Sequence, residues 1–177
     1  MGHPFDSKQG WGRLNADAVL NFPGEIHYID QEVAFNDTGQ TWSQDITLTS
    51  PVPSLKIMLA WTDAPGHGLG GATPAWVNDL DLSITIGGQT YYGNNFGPDG
   101  FSLPGGTPDG INNTEGIFLS ALPEGTYTLT VTAANISGDG IPSLAGNTDQ
   151  DFALVIYIPD TPQEEPPYKY IIFPIFR

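Results

Sequence analysis

From Glu32 onward the pattern of apolar and polar positions reads as strand and turn. Asp79-Leu80-Asp81-Leu82-Ser83-Ile84-Thr85-Ile86 alternates strictly, so Leu80, Leu82, Ile84 and Ile86 share one face of a strand and polar residues take the other. Thr126-Tyr127-Thr128-Leu129-Thr130-Val131-Thr132 repeats the alternation after Glu124-Gly125. Phe152-Ala153-Leu154-Val155-Ile156-Tyr157 is instead an apolar run, suited to a central strand covered on both faces. Strands are predicted near 31–36, 42–49, 54–62, 79–87, 89–93, 114–120, 125–134 and 150–158, enough for two packed sheets. Gly87-Gly88 can supply the positive φ of a tight hairpin between two of them. Upstream, Leu14 and Ala18 stand at helical spacing, which predicts a short helix closed by Pro23-Gly24.

Composition supports an all-β reading. The chain has 177 residues, enough for a single core without metal or disulfide staples. Its 22 Gly and 16 Pro, with only 14% charged residues, punctuate it into short strands and turns. Two segments, about 63–78 and 93–112, are longer than ordinary connections and rich in Gly, Pro, Asn and Asp, where ligands concentrate. Residues 160–177 begin as a polar, Pro-rich linker and end in the apolar stretch Tyr170-Ile171-Ile172-Phe173-Pro174-Ile175-Phe176, which is too short for a membrane span and can open a following segment.

Charge narrows the partners. Twenty acidic against five basic residues give a formal net charge of −15. Nucleic acid and anionic membrane surfaces are repelled by such a chain. Solubility accounts for the charge in one reading; in the other, the carboxylates gather to hold hard cations, which prefer oxygen ligands. With no Cys, disulfides and thiolate metal sites are excluded.

Hydrolase chemistry finds no motif. No Ser lies in a Gly-x-Ser-x-Gly elbow, and neither His-Glu-x-x-His nor a phosphate-cradling Gly-x-x-x-x-Gly-Lys loop occurs. His3, His27 and His67 share no ligand-like spacing. The strongest site signal is oxygen: Asp63, Asn78-Asp79-Leu80-Asp81, Asp109 and Asn112-Asn113-Thr114-Glu115. The two-residue period puts Asp79 and Asp81 on one side of a strand, where two carboxylates repel unless something neutralises them. Two readings fit: the acids face water while the Asn residues set turns, or the group binds a cation such as Ca²⁺. Tyr91, Tyr92, Phe96 and Phe101 could form a sugar-stacking platform, although large aromatics are more often recruited to bury area at the end of a sandwich.

An ordered series of segments resembles a known family. Gly10-Trp11-Gly12-Arg13-Leu14-Asn15-Ala16 is similar to the segment that follows the catalytic serine region of subtilisin-like serine peptidases. Leu59-Ala60-Trp61-Thr62-Asp63-Ala64-Pro65-Gly66, Val77-Asn78-Asp79-Leu80-Asp81-Leu82, Tyr92-Gly93-Asn94, Asp109, Asn112-Asn113-Thr114-Glu115, Gly125-Thr126-Tyr127 and Gln150-Asp151-Phe152-Ala153-Leu154-Val155 resemble the C-terminal β-barrel of the alkaline, oxidatively stable subtilases, a relative of the P domain of kexin-like convertases. The resemblance covers about residues 8–158. It implies a jelly-roll β-sandwich of about eight strands, with 1–24 as the end of a protease domain, 25–159 as the jelly roll and 160–177 as linker. It further implies a secreted parent, a partner in the protease domain of the same chain, Ca²⁺ as ligand, and Asp63, Asn78, Asp79, Asp81, Asp109, Asn112 and Glu115 as its ligands. The catalytic Asp, His and Ser motifs of that family are missing, so no catalytic residue carries over. The expected function is a non-catalytic accessory domain that stabilises the protease and helps present protein substrate. A carbohydrate- or surface-binding module is the rival expectation.

Overall fold

The computed structural model describes residues 10, 11, 16, 20, 21, 23–66, 68, 76–146 and 148–160. They form nine strands: β1 (Glu25–Phe35), β2 (Thr41–Leu48), β3 (Val52–Ala60), β4 (Asp79–Ile86), β5 (Gln89–Phe96), β6 (Ser102–Pro104), β7 (Thr114–Leu122), β8 (Gly125–Asn135) and β9 (Gln150–Ile158). One sheet runs β1-β9-β3-β7 and the other β2-β8-β4-β5-β6, with every strand pair antiparallel. The chain passes from sheet to sheet at nearly every connection, which is the double Greek key of a jelly roll.

Each sheet turns one face of its alternation inward. Leu80, Leu82 and Ile84 of β4 lie beside Ala133, Val131 and Leu129 of β8 in register, and all six side chains are inaccessible to solvent. From the opposite sheet come Leu55, Ile57 and Leu59 of β3, Ile117 and Leu119 of β7, and Phe152, Leu154 and Ile156 of β9. Phe152 stacks on Phe35 at 5.7 Å and meets the Trp42 ring edge-on at 5.6 Å. The outer face of the second sheet is hydroxyl-rich. Ser43 pairs with Thr130 at 3.0 Å, Thr47 with Thr126 at 3.3 Å, and Thr128 donates to Asp45 at 2.8 Å.

Two differences from the sequence reading have physical causes. Strand β1 begins at Glu25, well before the predicted 31, because it is an edge strand carrying Glu25, His27, Asp30 and Glu32. Such polar edges lack a clean alternation. A bulge between Asp30 and Ala34, with Gln31 at φ 57°, breaks its period further. Strand β6 was not predicted; it is three residues long inside the 93–112 segment and pairs with β5 through Phe96 and Ser102. The Gly87-Gly88 hairpin is as expected, at φ 57° and 80°, and connects Ile86 to Gln89. The helix expected over 14–20 and the apolar stretch 170–176 fall largely or wholly outside the described residues. Among the described residues no helix is long and apolar enough to cross a membrane.

Leu82 is fully buried between the sheets. Truncating it to Ala is expected to cost about 2–5 kcal/mol in denaturant unfolding. Thr128→Ala, on the wet face of β8, should change stability by less than about 1 kcal/mol.

A candidate cation site at the seam between the sheets

The acidic cluster forms where the sheets meet along β7 and the start of β4. In register, Glu115 continues the core-facing row of Ile117 and Leu119, so a carboxylate occupies an inward position with no exposed surface. The β4–β5 ladder ends at Ser83 and Tyr92. Beyond it, Glu115 Oε2 accepts the Leu82 backbone N–H at 2.7 Å, so a side-chain oxygen stands in for a neighbouring strand. This insertion requires Gly93. A Cβ there would lie 2.7 Å from Glu115 Cβ and 2.8 Å from its Cδ, both impossible. The other oxygen, Oε1, is buried and has no hydrogen-bond partner among the described residues, and the same is true of Oδ1 of Asp81.

Asp79 and Asp81 share the other face of β4, as the alternation requires, and both are partly buried. Asp109 is held above them from the loop before β7. Its Oδ1 accepts the Ile111 N–H at 3.1 Å; its Oδ2 accepts from Asn94 Nδ2 at 2.6 Å and Asn112 Nδ2 at 2.7 Å. Asp79 Oδ2 packs 3.3 Å from where a Gly110 Cβ would sit, so this loop lies directly against β4.

The remaining expected residues do other work. Asp63 accepts the Val77 and Asn78 N–H groups at 2.7 and 2.8 Å and thereby closes the base of the 63–78 loop. Asn78 is completely buried and committed to structure. Its amide donates to Gly138 O, Asp149 O and Gln150 Oε1, while Oδ1 accepts from the Ser137 and Gly138 N–H groups. The structure therefore sets Asp79, Asp81, Asp109 and Glu115 near enough for their charges to act on one another, without converging on one point, places Asn112 as a donor to Asp109, and sets Asp63 and Asn78 beside them as scaffolding.

Asn94 was missed as a site residue. Its amide imitates a strand: Oδ1 accepts the Gly116 N–H at 2.9 Å and Nδ2 donates to Thr114 O at 2.9 Å, capping the open edge of β7. A signal existed in Gly93 before it, since Gly inside a strand marks close approach of another group. Of the aromatics, Tyr91 packs against the core, while Phe96 and Phe101 pack against Met58 and Phe118.

Electrostatics follow from burial. Desolvation, offset in part by the Leu82 hydrogen bond and reinforced by Asp81, Asp109 and Asp79, raises the Glu115 pKa from 4.5 to about 9. Desolvation and then Asp81, Asp109 and Asp63 raise that of Asp79 from 3.8 to about 6. Asp81 is also raised, by desolvation and Asp109. The sequence has no Lys or Arg between Lys56 and Lys169, so the segment that builds the cluster brings no side-chain cation of that kind. Among the described residues, no three His, Cys, Asp or Glu side chains converge as a ready-made metal cage.

In chelator the raised pKa values set a sign. The folded state holds protons that the unfolded chain releases, so stability is fully present below pH 4.5 and is lost as pH rises toward about 9 through Glu115. The slope should reach about 1.4 kcal/mol per pH unit for one proton. Thermal melts of Glu115→Gln between these limits should show a flatter dependence than the parent. A parent profile that rises with pH would show that Glu115 is not held neutral.

No protein-family model matches the sequence, and no curated protein matches it. Solved structures with some likeness include a protein from Sulfurospirillum deleyianum (TM-score 0.32, 12% identity, 77% of this chain and 98% of that one). The Penaeus vannamei nodavirus P-domain is similar at TM-score 0.30 and 15% identity, over 75% of this chain and 94% of that one. The CBM36-1 domain of a multidomain xylanase from the hindgut metagenome of Trinervitermes trinervoides is similar at TM-score 0.28 and 10% identity, over 78% and 91%. Likenesses this slight assign no function, and the chain is placed as a β-sandwich by its own strand order.

Proposed function

We propose that this chain is a non-catalytic, Ca²⁺-binding accessory domain of a secreted subtilisin-like serine protease, stabilising the protease domain of the same parent chain and helping to present protein substrate. The family part of this reading rests on the ordered sequence resemblance. The metal part rests on one observation: Glu115, with no exposed surface, keeps Oε1 without a partner among the described residues, within electrostatic reach of Asp81, Asp109 and Asp79.

The donors here are oxygens, the chemistry that an oxygen-seeking divalent cation favours, and since among the described residues no three of them already converge, binding would have to draw them together. Ca²⁺ accepts six to eight oxygens in flexible geometry, whereas Mg²⁺ demands a small octahedral shell. Asp79, Asp81 and Asp109 would supply carboxylate oxygens, and the orphaned oxygens of Asp81 and Glu115 would gain a partner. A bound cation would turn the mutual repulsion into attraction and favour the ionised acids. Asp63, Asn94 and Asn112 position the loops that carry them. The carbohydrate-binding alternative needs an exposed aromatic platform, and the packing of Phe96 and Phe101 against Met58 and Phe118 counts against it.

A cation that binds only the folded state adds about 2.7 kcal/mol at a hundredfold excess over its Kd. Thermal melts in chelator, in millimolar Ca²⁺ and in NaCl of matched ionic strength test this. Ca²⁺ should raise the parent Tm well beyond NaCl, and Asp79→Asn and Asp81→Asn should lose most of that increment. An equal response to both salts, or variants that respond like the parent, would remove these residues from a metal site. The isolated chain should also show no peptide hydrolysis, since no nucleophile-and-base motif is present; turnover abolished by replacing a single Ser would refute the non-catalytic reading.

A further inference from the structure

Within the sheet β1-β9-β3-β7, strands β9 and β3 and the first part of β7 are largely buried on both faces. On the face turned away from the core, Met58 and Phe118 are 4% and 5% exposed, and Ala153, Val155 and Tyr157 of β9 are equally shielded. The register places all five on one surface: Met58 lies opposite Gly116 and Val155, and Lys56 lies opposite Phe118 and Tyr157. A lone sheet face facing water would not be so apolar.

The segment before β1 reaches this surface at two described points. The Tyr157 hydroxyl donates to Pro23 O at 2.9 Å. The Trp11 indole meets Phe96 edge-on at 6.1 Å and tilts over Phe118 at 6.3 Å, while Phe96 and Phe118 are themselves 5.2 Å apart. Room for the indole comes from a missing side chain: a Cβ on Gly116 would lie 2.9 Å from Trp11 Cη2 and 3.1 Å from Met58 Sδ. Gly116 needs no unusual backbone angle, since it is not among the positive-φ glycines. Its smallness therefore serves contact rather than conformation.

We propose that the outer face of β3 and β7 is a docking surface for the segment that precedes the sandwich, with Trp11 as its anchor and Gly116 as the residue that admits the indole. Burial of a large, rigid indole against an aromatic pair gives one side chain enough contact to fix the segment. The further role of this surface as the joint to a protease domain rests on the accessory-domain reading above; the indole seat does not.

Trypsin reads the seat directly, because Lys8 and Arg13 flank Trp11. In the 177-residue chain, Trp11→Ala and Gly116→Val should each accelerate cleavage after Arg13 at least about tenfold, since such cleavage follows the population of the released state. Trp11→Phe should stay near the parent rate. A retained cooperative melt shows that the sandwich is intact; if Gly116→Val does not fold, Trp11→Ala carries the test, because it alters no strand. Equal rates in the parent and Trp11→Ala would overturn the seat even with a full Ca²⁺ response. A tenfold difference in a chain indifferent to Ca²⁺ would uphold the seat and remove the metal reading.

Discussion

Two sheets of a jelly roll cannot hydrogen-bond to each other face to face, yet along β7 and β5 they come edge to edge, and the backbone groups there must find partners. Side chains supply them. Asn94 satisfies both Thr114 O and Gly116 N–H, and Ser102 Oγ accepts the Phe118 N–H at 3.0 Å. Glu115 does the same for Leu82 from the other direction. The seam thus closes the sandwich at the cost of burying a carboxylate, and the acidic cluster is built around that compromise.

The same seam explains why charge collects there. Strand alternation sends Asp79 and Asp81 outward from β4 while Glu115 points inward from β7. Their charges nevertheless act on one another, since Asp81, Asp109 and Asp79 all help to raise the Glu115 pKa. Asp109 arrives from a loop whose position depends on Asn94, Asn112 and the Gly110 contact with Asp79. Desolvation then acts first and mutual repulsion second in raising the pKa values of Asp79 and Glu115. The scaffold strains against its own acids, which is the physical setting in which oxygen ligands favour a cation.

The two glycines of the seam region show how little side chain such closure tolerates. Gly93 makes way for Glu115, and Gly116 makes way for Trp11. One admits the buried acid and the other admits the upstream segment, from strands that neighbour one another across the seam. The candidate cation site and the proposed docking face therefore meet on β7, with Glu115 directed inward and Gly116 outward.

The sequence by itself determined the strands whose two faces differ in environment. Leu80, Leu82 and Ile84, and likewise Leu129 and Val131, announced their inward face through strict alternation, because water on one side and a core on the other select opposite residue types. It also marked β9 as central and brought Asp79 and Asp81 to one side of a strand. Tertiary structure decided what depends on partners distant in the chain. Edge strand β1, with its bulge, and three-residue β6 have too little burial to impose a period. Asn78 looks like a ligand beside Asp79, yet its five hydrogen bonds to residues 137–150 make it a structural knot. Glu115 looks like any turn-proximal acid until the sheets close over it. Burial, unlike alternation, is a property of the whole fold, and it is burial that gives Glu115 its chemistry.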